Sequence, residues 1–199
     1  MHLLLIAGFL GTGKTTFSIQ VATECIRQGR KVAMLVNEIG EIGIDGQLMR
    51  ELDLDVWEMS NGCICCTLAA DLVPTLEKLD QEYAVDLILM EPSGAADPES
   101  ILRTLVYYKG RPLESIYTVT LLDPLRLPEL YEVVTPLIVT QIANANVLFA
   151  NKADLATAEQ LEDVQRIATE VNPDAKLLLV SARQGIDSDL LKEILPWKD

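Results

Sequence analysis

The chain has 199 residues, 49% of them hydrophobic and 23% charged, enough aliphatic side chain for one well-packed domain and too much for intrinsic disorder. Sixteen Lys and Arg stand against 30 Asp and Glu, a formal net charge of −14, which excludes a nucleic-acid backbone as the expected partner because that needs a basic footprint. No apolar run reaches the ~20 residues of a membrane span, and the expectation is a cytoplasmic protein folded as a single domain over residues 1–199.

In chain order, the first aliphatic run predicts a buried strand over 3–7. It leads into Gly8-Phe9-Leu10-Gly11-Thr12-Gly13-Lys14-Thr15, a complete G-x-x-x-x-G-K-[ST] pattern between a predicted strand and a predicted helix over 14–28. Glycines at 11 and 13 let the backbone curl until its N–H groups face an anion. With Thr12 they form a phosphate cradle. Lys14 can reach β- and γ-phosphates, the Thr15 hydroxyl can coordinate Mg²⁺, and Thr16 would lie beside the α-phosphate. A second strand, over 32–36, ends in an acidic, glycine-containing loop at 37–46. Asp45 is the first choice there for orienting an attacking water, with Glu38 and Glu41 as alternatives.

After a predicted strand over 56–59 comes Gly62-Cys63-Ile64-Cys65-Cys66. Three thiols within four residues can converge on one soft or borderline ion, and Zn²⁺ suits thiolates in a tetrahedral shell. The fourth position is open to Glu41, water or a partner's ligand. The single histidine, His2, stands too far off to suggest a Cys/His shell, and Cys25 inside the first helix reads as core. Thiols alone do not name the ion, because Cu²⁺ and Ni²⁺ compete with Zn²⁺.

A helix over 68–81 and a strand over 87–90 follow. Glu91 then stands at a strand end, where such sheets line their ligand crevice, placed to bind Mg²⁺; the Gly94 N–H can sense a γ-phosphate. Residues 107–113 read as a surface loop. Strands over 116–122, 147–150 and 177–180 alternate with helices over 135–143, 157–171 and 189–195. Apolar strands without polar alternation predict a doubly wound, mostly parallel α/β sheet with helices on both faces. Asn151-Lys152-Ala153-Asp154 follows one of these strands as an N-K-x-D guanine reader. Asp154 can accept from the N1–H and amino group of guanine together, a donor pair that adenine lacks. Lys152 can lie along the base and Asn151 can brace the loop. Ser181-Ala182 fits the loop whose backbone N–H meets the guanine O6. Lys14, Asp45 and Glu91 are the candidate catalytic residues.

The segments G-F-L-G-T-G-K-T-T at 8–16, N-E-I-G-E-I-G-I-D at 37–45, G-C-I-C-C at 62–66, E-P-S-G-A-A-D-P at 91–98 and N-K-A-D at 151–154 together resemble the CobW-like branch of the CobW/HypB/UreG family of P-loop metallochaperone GTPases. The resemblance implies slow hydrolysis of GTP to GDP and phosphate, coupled to binding and delivery of Zn²⁺ or Co²⁺ by Cys63, Cys65 and Cys66. It also implies a client metalloprotein or cobalamin-related protein as partner, and a GTP-dependent homodimer across the nucleotide face. Two features depart from the family pattern. The expectation is a chain without the C-terminal CobW-type domain, the 199 residues hold one histidine and no histidine-rich stretch, and Asn146 stands where the family usually has Asp. One rival reading is a GTP-dependent chaperone gating a corrinoid-dependent enzyme without metal delivery. Another is a small-molecule kinase, against which the guanine loop counts.

Overall fold

The computed structural model describes residues 1–36, 55–58 and 68–197. Seven strands, β1 (His2–Gly8), β2 (Val32–Val36), β3 (Asp55–Glu58), β4 (Leu87–Glu91), β5 (Ser115–Leu122), β6 (Val147–Asn151) and β7 (Lys176–Val180), form one sheet in the order β3-β2-β4-β1-β5-β6-β7. Every ladder in it is parallel. The connecting helices are α1 (Lys14–Arg27), α2 (Leu68–Lys78), α3 (Pro98–Thr104), α4 (Leu127–Val133), α5 (Thr135–Ala143), α6 (Ala158–Val171) and α7 (Ser188–Lys192).

The aliphatic strands explain the layering. In β1, Leu4 and Ile6 pack with Phe17 and Val21 of α1, while Leu3 and Leu5 pack on the opposite face with Leu72 and Leu76 of α2. Burial on both faces is why β1 shows no polar alternation. A third cluster joins Leu122 and Leu148 to Ile138 and Ile142 of α5 and to Val164 and Ile167 of α6. The predicted doubly wound sheet is therefore the observed one.

Local chemistry sets the helix ends. Thr157 and Gln160 close a reciprocal capping box at the start of α6, which satisfies two N-terminal donors at once. α1 stops before Gly29, whose φ of +75° suits a residue without a side chain. Two seven-residue helices, α3 and α4, lie where the periodicity predicts none; α3 is opened by Asp97, whose side chain accepts from Glu99 N–H at 2.9 Å. The helix predicted over 68–81 is α-helical to Lys78 and continues as a wider π turn, Leu79–Tyr83. The last helix is shorter than predicted and ends at Lys192. Among the described residues, no helix is long and apolar enough to cross a membrane.

Candidate nucleotide-binding site

β1 is central, and the chain leaves it between β4 and β5, so the carboxyl ends of these strands open a crevice there. Gly8 closes the strand at φ +140°, and a Cβ on it would lie 2.6 Å from the Leu121 carbonyl oxygen. Beyond it, four successive carbonyls of the phosphate loop each accept a side-chain hydrogen bond. Phe9 O accepts from Lys14 Nζ at 3.4 Å, Leu10 O from Arg126 Nη1 at 3.1 Å, Gly11 O from Lys152 Nζ at 2.7 Å, and Thr12 O from Asn151 Nδ2 at 2.8 Å. Tying the acceptors this way favours donation by loop N–H groups to an anion, while the Thr12 N–H turns back to Phe9 O at 3.3 Å. Gly13, at φ +92°, allows no side chain: a Cβ would sit 2.4 Å from Asn151 Nδ2.

Thr15 and Glu91 meet beside this loop. The Thr15 hydroxyl donates to Glu91 Oε1 at 2.6 Å, and Ser18 Oγ lies 3.1 Å from Glu91 Oε2. Glu91 is buried at the end of β4. A hydroxyl and a carboxylate are hard oxygen donors, the kind that Mg²⁺ takes together with phosphate oxygens and water. Among the described residues, no group of three or more His, Cys, Asp or Glu side chains is placed to hold a metal by itself.

The N-K-x-D loop lies at the end of β6, beyond β5. Asn151 is buried and uses both ends of its amide, donating to Thr12 O and accepting from the Ala182 N–H at 2.9 Å. The Ala182 N–H, expected to meet the guanine O6, is thus engaged by Asn151 Oδ1. Lys152 takes a left-handed backbone, φ 64°, and its ammonium lies 2.5 Å from Asp123 Oδ2. Asp154 is fixed at both oxygens: Ser181 Oγ donates to Oδ1 at 2.5 Å and Gln184 Nε2 to Oδ2 at 2.9 Å. Gly13, Thr16, Asn151, Lys152, Asp154 and Ser181 are among the residues lining a cavity of 640 Å³, a volume suited to a nucleotide-sized ligand.

Gly94 closes the crevice from the β4 side, where the N atom of Leu10 would lie only 2.5 Å from an added Cβ. Its segment is held by Gln141, buried in α5, whose Nε2 reaches Gly94 O at 3.1 Å and Ala96 O at 3.2 Å.

The structure therefore brings together Gly11, Thr12, Gly13, Lys14, Thr15, Thr16, Glu91, Gly94, Asn151, Lys152, Asp154, Ser181 and Ala182. Asp45, Glu38, Glu41, Cys63, Cys65 and Cys66 lie outside the described residues. Ser18, Asp123, Gln141 and Gln184 join the site without having been sequence candidates. Of these, Asp123 carried a readable signal, a carboxylate directly after an aliphatic strand, as at Glu91. Cys25 is core, its thiol pushed up to about 12 by burial. Asn146, the departure from the family pattern, accepts from the Thr118 N–H at 2.7 Å and so ties β5 to the start of β6.

A parallel α/β sheet that carries a glycine-rich phosphate loop and an N-K-x-D loop at its strand ends is a P-loop nucleotide-binding domain. Residues 2–179 match the model of the CobW/HypB/UreG nucleotide-binding domain, and the chain belongs to that family. It is 33% identical over 188 residues to the zinc chaperone YeiR of Escherichia coli K12, covering 94% of this chain and 57% of that protein. It is 29% identical over 212 residues to zinc-regulated GTPase metalloprotein activator 1 of Dictyostelium discoideum, covering 87% of this chain and 44% of that one. The chain thus spans about half the length of these relatives. Its fold matches the crystal structure of Zn(II)-bound YjiA GTPase from E. coli with a TM-score of 0.69 and 24% identity, over 100% of this chain and 66% of the other. It also matches the hydrogenase maturation factor HypB from Archaeoglobus fulgidus with a TM-score of 0.68 and 19% identity, over 97% and 88%.

Proposed function

We propose that this chain binds GTP, hydrolyses it to GDP and phosphate, and uses the cycle to bind and deliver a transition metal, zinc in the first place, to a client protein. The observation that carries the reading is the tie between the guanine and phosphate loops. Asp154 faces a nucleotide-sized cavity, while its loop neighbours Asn151 and Lys152 bond the carbonyls of Thr12 and Gly11. A base held at Asp154 therefore has its phosphates registered on the loop N–H groups. Guanine is favoured because its paired donors match a carboxylate, whereas adenine would leave that carboxylate unpaired.

Lys14 holds the β- and γ-phosphates in this scheme, and Gly94 offers its N–H to the γ-phosphate. Thr15 and Glu91 would hold Mg²⁺, which supplies positive charge to the phosphates. Asp45 remains the proposed orienting group for the attacking water. The thiols of Cys63, Cys65 and Cys66 are the proposed zinc ligands, with Glu41 as a fourth; the zinc-chaperone relatives support zinc over cobalt. Exposed Leu10 and Leu155, on the phosphate loop and at the cavity lining, are side chains that a GTP-dependent homodimer would cover.

A ligand shifts an equilibrium only by binding its two states unequally. The test is zinc affinity measured with GDP and with a non-hydrolysable GTP analogue, where a coupling of ~1–3 kcal/mol, roughly 5–150-fold, is expected. Equal affinities would remove the coupling. Cys65→Ser should lower zinc stoichiometry while GTP binding persists, and full stoichiometry in that variant would remove the thiolate assignment.

A further inference from the structure

Of the described cations that hydrogen-bond the phosphate loop, Lys14 and Lys152 are engaged within the protein. Lys14 is buried inside the loop, and Lys152 is neutralised by the buried carboxylate of Asp123. Arg126 is different. Its guanidinium is exposed, forms no ion pair among the described residues, and reaches the loop through Nη1 on Leu10 O at 3.1 Å. It lies 6.0 Å from the Phe9 ring centroid, and its Nη1 is 3.4 Å from where a Cβ on Gly11 would stand.

The backbone at Arg126 is fixed as well. Its N–H donates to Asp123 O at 3.0 Å, and Asp123 Oδ1 accepts the Leu125 N–H at 3.0 Å. A rigid turn thus carries one long, flexible cation to the rim of the crevice. In a chain of net charge −14, a guanidinium that pairs with no carboxylate among the described residues has a specific use at an anion site: its planar fork suits phosphoryl oxygens.

We propose that Arg126 is a further catalytic residue for the GTP hydrolysis proposed above, on which this inference rests. Its guanidinium exchanges Leu10 O for the γ-phosphoryl oxygens and stabilises the charge that develops as the β–γ bond breaks and water adds to phosphorus. It acts from within the same chain, and it touches GTP but not GDP.

The test compares the wild type with Arg126→Ala and Arg126→Lys. The readouts are affinity for GDP, affinity for a non-hydrolysable GTP analogue, and single-turnover hydrolysis of saturating GTP. Arg126→Ala should slow hydrolysis by about 100–1,000-fold, the scale set by losing one preorganised donor at the reacting charge. Its GDP affinity should stay within about twofold, and the analogue-to-GDP affinity ratio should fall. Lysine should restore only part of the rate, because it lacks the planar fork. Unchanged hydrolysis in Arg126→Ala would overturn the proposal. So would an equal loss of GDP and analogue affinity, which would make Arg126 a buttress of the loop. Should the wild type bind guanine nucleotides without turnover, the hydrolase reading fails by itself, and the analogue-to-GDP ratio still decides whether Arg126 meets the γ-phosphate.

Discussion

Gly94→Ala places one methyl group between two segments that already touch. The new Cβ would lie 2.5 Å from Leu10 N, 2.9 Å from Leu10 Cα and 3.1 Å from Phe9 C. All three are backbone atoms of the phosphate loop, so no side chain can rotate away. Either the phosphate loop or the 93–97 segment must shift, and each is tied: Leu10 O to Arg126, Gly94 O to Gln141. Overpacking of this kind costs about 2 kcal/mol, which in a chain of this size lowers the melting temperature by about 4–8 °C. Because the displaced segment carries the N–H proposed to meet the γ-phosphate, GTP-analogue affinity should fall more than GDP affinity. Thermal unfolding and paired nucleotide titrations measure both effects. Gly29→Ala is the control: φ there is +75° with nothing within 4 Å of the new Cβ, so it should cost about 1–2 kcal/mol of backbone strain and leave the nucleotide ratio alone. A Gly94→Ala variant that melts within about 1 °C of the wild type and keeps its preference between the two nucleotides would refute this role for Gly94.

Asp154→Asn removes a charged acceptor from two guanine donors and should weaken GTP by about 100-fold, from roughly 1.5 kcal/mol or more per charge-assisted bond. Xanthosine triphosphate, which presents an acceptor in place of the amino group, should gain affinity; competition titration reads both, and an unaltered GTP affinity would contradict the guanine-loop assignment. Asp80 accepts the Arg111 N–H at 2.8 Å and pairs with its guanidinium, and these bonds, the N–H first, hold its carboxyl below the usual carboxylate range. A depressed folded value gives stability that is present above the unfolded value of about 3.9 and lost as pH falls through the folded value. The stability gap between wild type and Asp80→Asn, followed by urea unfolding, should therefore hold above about pH 5 and narrow as pH falls from there through the depressed folded value. Burial pushes the Cys25 thiol up to about 12, so iodoacetamide near pH ~8 should modify it only after denaturation, because the thiolate is the reacting form; peptide mass mapping of native and unfolded samples checks this.

Much of the framework was legible from the sequence because its signals are local. Leu- and Val-rich runs without alternation mark strands buried on both faces, and all seven were found to within a residue at each end. The phosphate loop and the N-K-x-D loop are contiguous motifs, so Lys14, Thr15 and Asp154 could be named directly. The helices α3 and α4 were not legible: seven residues make under two turns, too few for a 3.6-residue period to show. Side chains such as Gln141 and Gln184 were hidden for another reason. Gln141 matters because α5 packs where its amide meets the segment after β4, and Gln184 because β7 lies next to β6. Those are facts of strand order and helix packing, which no local window contains.

The tied carbonyls bear on how a nucleotide switch can work here. Lys14, Arg126, Lys152 and Asn151 hold the acceptor side of residues 9–12, so the loop is ordered by folding itself. An ordered loop presents the same N–H groups to the phosphates that GTP and GDP share. Binding common to both nucleotides cannot shift a conformational equilibrium, however tight it is. Discrimination must come from groups that meet only the third phosphate and that can move without breaking the loop. Arg126, proposed to leave Leu10 O for that phosphate, is one such group, and in the described crevice the 93–97 segment is another. It packs on Leu10 through a bare glycine, buries Ala96 in the core, and takes from Gln141 an amide shared between two carbonyls. Lys14, Lys152 and Asn151 still tie the phosphate loop when Arg126 leaves it, so movement on the arrival or loss of a γ-phosphate should fall to Arg126 and to the β4 side of the crevice.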